Sequence, residues 1–240
     1  MYAIMIGLSI VLGLGTCAFF LTKKNVPGNI ALYSVFLELV ISIYLALMTT
    51  YILSGGKNYG LTSSGGAAGM LLGAFIMSKL TPQYREQLFS SGILSLPLMY
   101  GIGKIGCAYA GCCGGIKYEG IFHISSERGN VFPIQTLEAI VFLVIYAVSL
   151  LLYLRDRFNP LYAAMSYSFV KIILDFLRRT HESRFVTANQ IMCFVIVLVL
   201  ALTSGIQRKL LYRKSGHDGF GLSKDWKRSC GEKKEQVKVK

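Results

Sequence analysis

A helix needs about 20 predominantly apolar residues to cross the hydrocarbon core of a bilayer, and stretches of that kind follow one another along nearly the whole of this chain. They fall at about residues 2–21, 31–53, 61–80, 88–110, 135–154, 160–177 and 187–206. Composition agrees with this reading, because 53% of the 240 residues are hydrophobic and only 15% are charged, which is too apolar and too poor in charge for a soluble domain of this length. The pattern predicts an all-α integral membrane protein with seven transmembrane helices. The first run has no Lys or Arg before it and is followed by Lys23 and Lys24 where a cleavage site of small residues would belong, so it reads as a retained span rather than a signal peptide.

Basic residues set the orientation. With the C-terminus inside, seventeen of the 25 Lys and Arg fall in cytoplasmic segments and six in outer ones, a bias that places the N-terminus outside. Much of that bias comes from residues 207–240, where eleven basic residues face four acidic ones with little apolar material to form a core. The chain therefore divides into a membrane domain at 1–206 and a basic cytoplasmic tail at 207–240, predicted to be disordered on an anionic inner leaflet. This accounts for the formal net charge of +13 without a nucleic-acid partner.

Charge within a span is costly, about 2.5–3.5 kcal/mol per residue on insertion scales, and is usually paired, wet or functional. Five residues qualify: Glu38, Lys104, Glu138, Lys171 and Asp175. In "YSFVKIILDFLRR", Tyr167, Lys171, Asp175 and Arg178 recur at helical spacing and share one face, with Lys171 and Asp175 placed to neutralise each other. In "FPIQTLEA", Pro133 suits the first turn of a helix, and Gln135 and Glu138 follow on one side of it. In "GLTSSGGAAGMLLG", Gly65 and Gly69 make a GxxxG pair that serves either helix packing or the close approach of a ligand to the backbone. In "GKIGCAYAGCCGG", Lys104 is followed by Cys107, Cys112 and Cys113, without the paired spacing or fourth ligand of a zinc site. No metal or cofactor is expected.

The order of these pieces resembles the prolipoprotein diacylglyceryl transferases, bacterial inner-membrane enzymes. "SGG" at Ser64, "GKIGCAYAGC" at Gly103, "FPIQTLE" at Phe132, "YSFVKIILDFLR" at Tyr167 and "NQI" at Asn189 stand in the order of that family's motifs, from the first span to the seventh. Several positions depart from the family pattern. Ser64 and Phe132 stand where the family has histidines, Lys104 and Lys171 where it has arginines, and Cys107 and Cys112 where it has asparagine and glutamate.

The resemblance implies transfer of a diacylglyceryl group from phosphatidylglycerol to the thiol of a prolipoprotein cysteine, or a related phospholipid-dependent transfer to another acceptor, in the bacterial cytoplasmic membrane. It assigns catalysis to Lys104, Lys171 and Glu138. It assigns substrate binding to Ser64, Gly65, Gly66, Gly103, Gly106, Gln135, Tyr167 and Arg178. Such chemistry needs a cation beside the departing phosphate and a base for the thiol, and a lysine that gives up its proton is the preferred substitute for the absent histidine. Cys107, Cys112 and Cys113 read as small packing residues or as a nucleophilic relay beside an ammonium. Two rival classes are a membrane thiol-disulfide protein built on those cysteines and a relative that binds phospholipid without turnover.

Overall fold

The structure, a computed structural model, describes residues 1–57, 59–112, 114–126, 129–182 and 185–202; Cys113 and the basic segment 207–240 lie outside them. Among the described residues there are seven α-helices: α1 (Tyr2–Lys23), α2 (Gly28–Leu53), α3 (Ser63–Leu80), α4 (Arg85–Tyr109), α5 (Ile134–Leu154), α6 (Pro160–Asp175) and α7 (Ala188–Leu202). A short antiparallel hairpin, β1 (Ile124–Ser126) and β2 (Gly129–Val131), stands between α4 and α5 with Ile124 opposite Val131. Met1–Val197 form one compact unit; of the second, Leu198–Lys240, only the end of α7 is described.

Four segments are long and apolar enough to cross a membrane by themselves: α1, α2, α5 and α4 with its 3-10 lead-in, Pro82–Tyr109. Two of the other three are shortened by their own chemistry. α3 holds 18 residues and is diluted by serine and glycine, whereas α6 ends at Asp175 after 16 residues, earlier than the residue 177 read from the sequence. α7 is described as far as Leu202, where the described residues end.

The helix starts obey local hydrogen-bonding rules. Asn159 caps α6, its Oδ1 accepting the N–H groups of Leu161 at 3.0 Å and Tyr162 at 3.3 Å, and Pro160 follows at the first helical position. Thr187 and Gln190 form a reciprocal capping box at α7: the Gln190 N–H donates to Thr187 Oγ1 at 3.2 Å, and the Thr187 N–H donates to Gln190 Oε1 at 3.1 Å.

Small residues let the helices close on one another. α4 packs against α1, α3, α5 and α6, burying Ser90, Ser91, Gly92, Ser95 and Pro97. α2 and α3 approach closely at Gly69, where an added Cβ would stand 2.7 Å from the Ile41 carbonyl oxygen and 2.8 Å from the Ser42 nitrogen. Rows such as Leu32, Phe36 and Ile43 on α2 and Ile140, Val144 and Val148 on α5 remain exposed on the outside, as surfaces facing lipid do. Glu38 is fully buried where α1 to α4 converge, accepting from Ser34 Oγ at 3.0 Å and from the Cys17 thiol at 3.8 Å. Beyond the end of α1, Lys24 donates to Asp156 Oδ1 at 2.8 Å; that hydrogen bond raises the lysine pKa and lowers that of the carboxyl.

One irregular segment ties α5 to the end of α6. Residues 114–118 run between the end of α6 and β2: the Ile116 N–H donates to the Leu177 carbonyl at 3.1 Å, the Arg179 N–H to Gly114 at 3.1 Å, and the Tyr118 N–H to Asn130 at 3.1 Å. The Phe132 N–H returns to Ile116 at 3.0 Å just before α5 begins. The turn that carries Arg178 is thereby linked by backbone hydrogen bonds to the start of the helix that carries Glu138.

Candidate functional site

Glu138, one turn into α5 and fully buried, is the centre of a charged cluster. Lys104 from α4 pairs with its Oε2 at 2.8 Å, Lys171 from α6 with its Oε1 at 2.9 Å, and Nη2 of Arg178 reaches Oε1 at 3.0 Å and Oε2 at 2.8 Å. Asp175 is the second carboxylate. It pairs with Lys171 at 3.0 Å and with Nε of Arg178 at 3.2 Å, and it accepts a hydrogen bond from the Thr187 hydroxyl that the capping box holds in place. All five charged side chains are buried, so each depends on the others for the hydration it has lost.

The Lys171–Asp175 pair therefore exists, but it is one edge of a larger network rather than a self-contained neutral pair. Arg178 enters from the turn beyond α6 and not from the helix face read from the sequence. Tyr167 shares the α6 stripe with Lys171 yet turns to α5, where its hydroxyl donates to Ser149 Oγ at 2.7 Å.

Two cavities flank the cluster. The larger, about 300 Å³, lies among α1 to α4 and is lined by Lys104, Arg178, Gly66, Gly103, Cys107 and Asn189 with apolar side chains around them. The smaller, about 80 Å³, is lined by Lys171, Ser64, Tyr167, Phe142 and Cys193. Ser63, Ala67, Leu96 and Tyr100 border both. Among the described residues no carboxylate and no histidine lines either one, so Glu138 and Asp175 sit behind the cations and hold them toward the open space.

The other residues singled out in the sequence divide by position. Gly66 and Gly103 face the larger cavity, whereas Gly65 and Gly106 are packing contacts: a Cβ on Gly65 would meet the Leu45 carbonyl oxygen at 2.6 Å, and one on Gly106 would meet Met5 Cβ at 2.7 Å. Gln135 lines neither of these two cavities; its Nε2 donates to the Cys112 carbonyl at 2.6 Å, tying the turn after α4 to α5. Ser64 donates to Asn189 Oδ1 at 2.8 Å, a contact between α3 and α7.

Tyr100 was not singled out from the sequence. Its hydroxyl donates to Glu138 Oε1 at 3.1 Å, and its ring lies 5.2 Å from the Lys104 ammonium and 5.7 Å from that of Lys171. The available signal was its position one helical turn before Lys104.

Cys107 lines the larger cavity, and the Cys112 thiol donates to the Cys107 carbonyl at 3.7 Å. Among the described residues no group of His, Cys, Asp and Glu is arranged to hold a metal ion. If these thiols fill space, replacing Cys107, Cys112 and Cys113 together by Ala or Ser leaves the lipid transfer that the resemblance implies within a few-fold of the parent, as small exchanges at helix contacts do. Loss of transfer in a folded triple variant, read from initial rates at matched protein content, would establish a chemical role for them.

Fold and site together define a polytopic membrane protein in which buried cations are presented to apolar cavities. The model of the prolipoprotein diacylglyceryl transferase family matches residues 1–204, and the chain belongs to that family. It is thereby placed among transferases of lipoprotein biosynthesis. No curated protein matches the chain.

Proposed function

We propose that the protein transfers a diacylglyceryl group from phosphatidylglycerol to the cysteine thiol of a prolipoprotein at the outer side of the bacterial cytoplasmic membrane. The observation that carries this reading is the presentation of Lys104, Lys171 and Arg178 to two largely apolar cavities, with their carboxylate partners behind them. A phosphodiester drawn into the larger cavity meets Lys104 and Arg178 while its acyl chains lie on apolar walls. The thiol sulfur forms a bond to the glyceryl carbon as the bond from that carbon to the phosphate oxygen breaks. The electron pair leaves with glycerol phosphate, and the thiol proton balances its new negative charge. Cations held in place before the reaction stabilise that developing charge without reorganising.

Both lysines are ion-paired with carboxylates, which supports a role as fixed positive charge over one as proton acceptor. Lys104 and Lys171 act as point charges, whereas the guanidinium of Arg178 can offer a planar fork to phosphate. Phospholipid binding without turnover is the second reading, favoured by one observation: both carboxylates of the cluster are committed to cations and no described histidine lines either of the two cavities. One experiment separates the two. Purified protein in lipid nanodiscs is given phosphatidylglycerol labelled in its glycerol backbone and a lipobox peptide. Label moving to the Cys peptide, and not to its Cys→Ser counterpart, supports transfer; labelled lipid retained with no product supports binding alone.

The same reading includes seven spans with the N-terminus outside. It is supported by the four long apolar segments, by three shorter helices packed among them, and by the basic residues at 207–240. A reporter active only outside the cytoplasm is expected to give signal when fused after Ser126 and none after Lys240. Signal at Lys240 would reverse the orientation.

A further inference from the structure

Glu38 stands apart from the charged cluster. Gly92, its neighbour on α4, comes twelve residues before Lys104, roughly 18 Å along the helix. Neither Glu38 nor its partners Cys17 and Ser34 line either cavity. Lys104, Glu138, Lys171 and Asp175 each have a partner of opposite charge, whereas among the described residues no cation pairs with Glu38. Its carboxyl, fully buried, meets only a hydroxyl and a thiol: Ser34 Oγ donates to Oε1 at 3.0 Å, and Cys17 Sγ lies 3.8 Å from Oε2. The Cys17 thiol is the titratable group that α1 brings to it. α3 meets it with Gly73 and α4 with Gly92, neither of which titrates. Tyr84 packs on the apolar cluster that includes Cys17, and Tyr153 of α5 lies toward Cys17.

Two neutral partners do not replace a counter-ion. A lone carboxylate withdrawn from water is so costly that such a group takes up a proton instead. As an acid the same carboxyl is satisfied, with Oε1 accepting from Ser34 and a proton on Oε2 facing the Cys17 sulfur, a weak acceptor. The helices close tightly on it. A Cβ on Gly73 would stand 2.9 Å from the Glu38 Cα, and one on Gly92 would stand 3.8 Å from both carboxyl oxygens. We infer that Glu38 is a proton-binding site separate from the transfer site, and that its proton holds α1 to α4 in contact around an uncharged carboxylic acid. Loss of that proton sets an unpaired negative charge among the four helices, which then part to admit water or a cation. Nothing in this depends on the transfer reading.

The test is infrared spectroscopy of the full-length protein at neutral pH, in a detergent without ester carbonyls. The parent is expected to show the carbonyl stretch of an undissociated carboxylic acid, and Glu38→Gln to lack it. Carbon-13 in the glutamate side-chain carboxyls is expected to shift that band in the parent, a check that needs no variant. Thermal unfolding completes the test. Glutamine repeats the shape and the hydrogen bonds of a neutral acid, so Glu38→Gln is expected to keep the parent's Tm at neutral pH. Toward alkaline pH the parent is expected to lose stability that the variant keeps, because the fold holds a proton that the unfolded chain has released. Absence of the acid band from the labelled parent would overturn the inference. So would a Glu38→Gln protein that fails to fold or melts clearly lower, or parallel pH profiles for the two proteins.

Discussion

Replacing Glu138 by Gln is expected to destabilise the protein by about 3–5 kcal/mol, the cost of leaving buried cations without their counter-charge. The side chain is fully buried and pairs with Lys104, Lys171 and Arg178 at 2.8–2.9 Å. The amide keeps the shape of the carboxylate and loses its charge, which isolates the electrostatic contribution. Lys104→Met makes the contrasting variant. It leaves two cations with two carboxylates, and its loss of stability is expected to be clearly smaller although it too removes a buried ion pair. Thermal unfolding of the detergent-solubilised proteins checks this. Equal losses, or a larger loss for Lys104→Met, would mean that charge balance is not what holds this region together.

The membrane architecture was legible in the sequence because twenty apolar residues in a row leave a chain few alternatives. Element ends were less so. The apolar pattern of α6 runs to residue 177, yet the helix closes at Asp175: the N–H groups of Phe176, Leu177 and Arg178 turn back to carbonyls three residues earlier, and the Leu177 carbonyl and the Arg179 N–H pair with Ile116 and Gly114, partners that no local pattern discloses. The same non-local pairing brings Arg178 to Glu138, and only an extrapolated helix face pointed to it. Glu138 and Lys171 were recognisable as charges too costly to bury without purpose. Gly65 and Gly66 are adjacent in the chain and differ in what they meet, one the backbone of α2 and the other a cavity, and only the packing of α2 on α3 separates them. Tyr100 escaped notice because a tyrosine in an apolar span is ordinary. What distinguishes it is the meeting of α4, α5 and α6 around its hydroxyl and ring. The link from Ser64 to Asn189 joins positions 125 residues apart and was likewise invisible.

The second large effect concerns Lys171, which bridges both carboxylates and is the charged residue of the smaller cavity among those described. Lys171 shares Glu138 with the two cations that meet the departing phosphate, and as it is fixed positive charge in that cluster its replacement, Lys171→Ala, is expected to lower the rate of diacylglyceryl transfer on the order of 10²-fold, as removal of one transition-state donor does. Lys171→Arg keeps the charge and is expected to retain or raise activity. A lysine that had to surrender a proton could not be replaced this way, because a guanidinium stays protonated in proteins. The decisive measurement is the initial rate of transfer from phosphatidylglycerol to a lipobox peptide by the parent, Lys171→Arg and Lys171→Ala proteins, across a pH series and at matched membrane content. An active arginine variant beside a strongly impaired alanine variant is the predicted result. Comparable damage in both, with the parent rate climbing toward high pH, would contradict it in favour of a lysine base, and full activity in both would leave Lys171 as a structural partner of Asp175 alone.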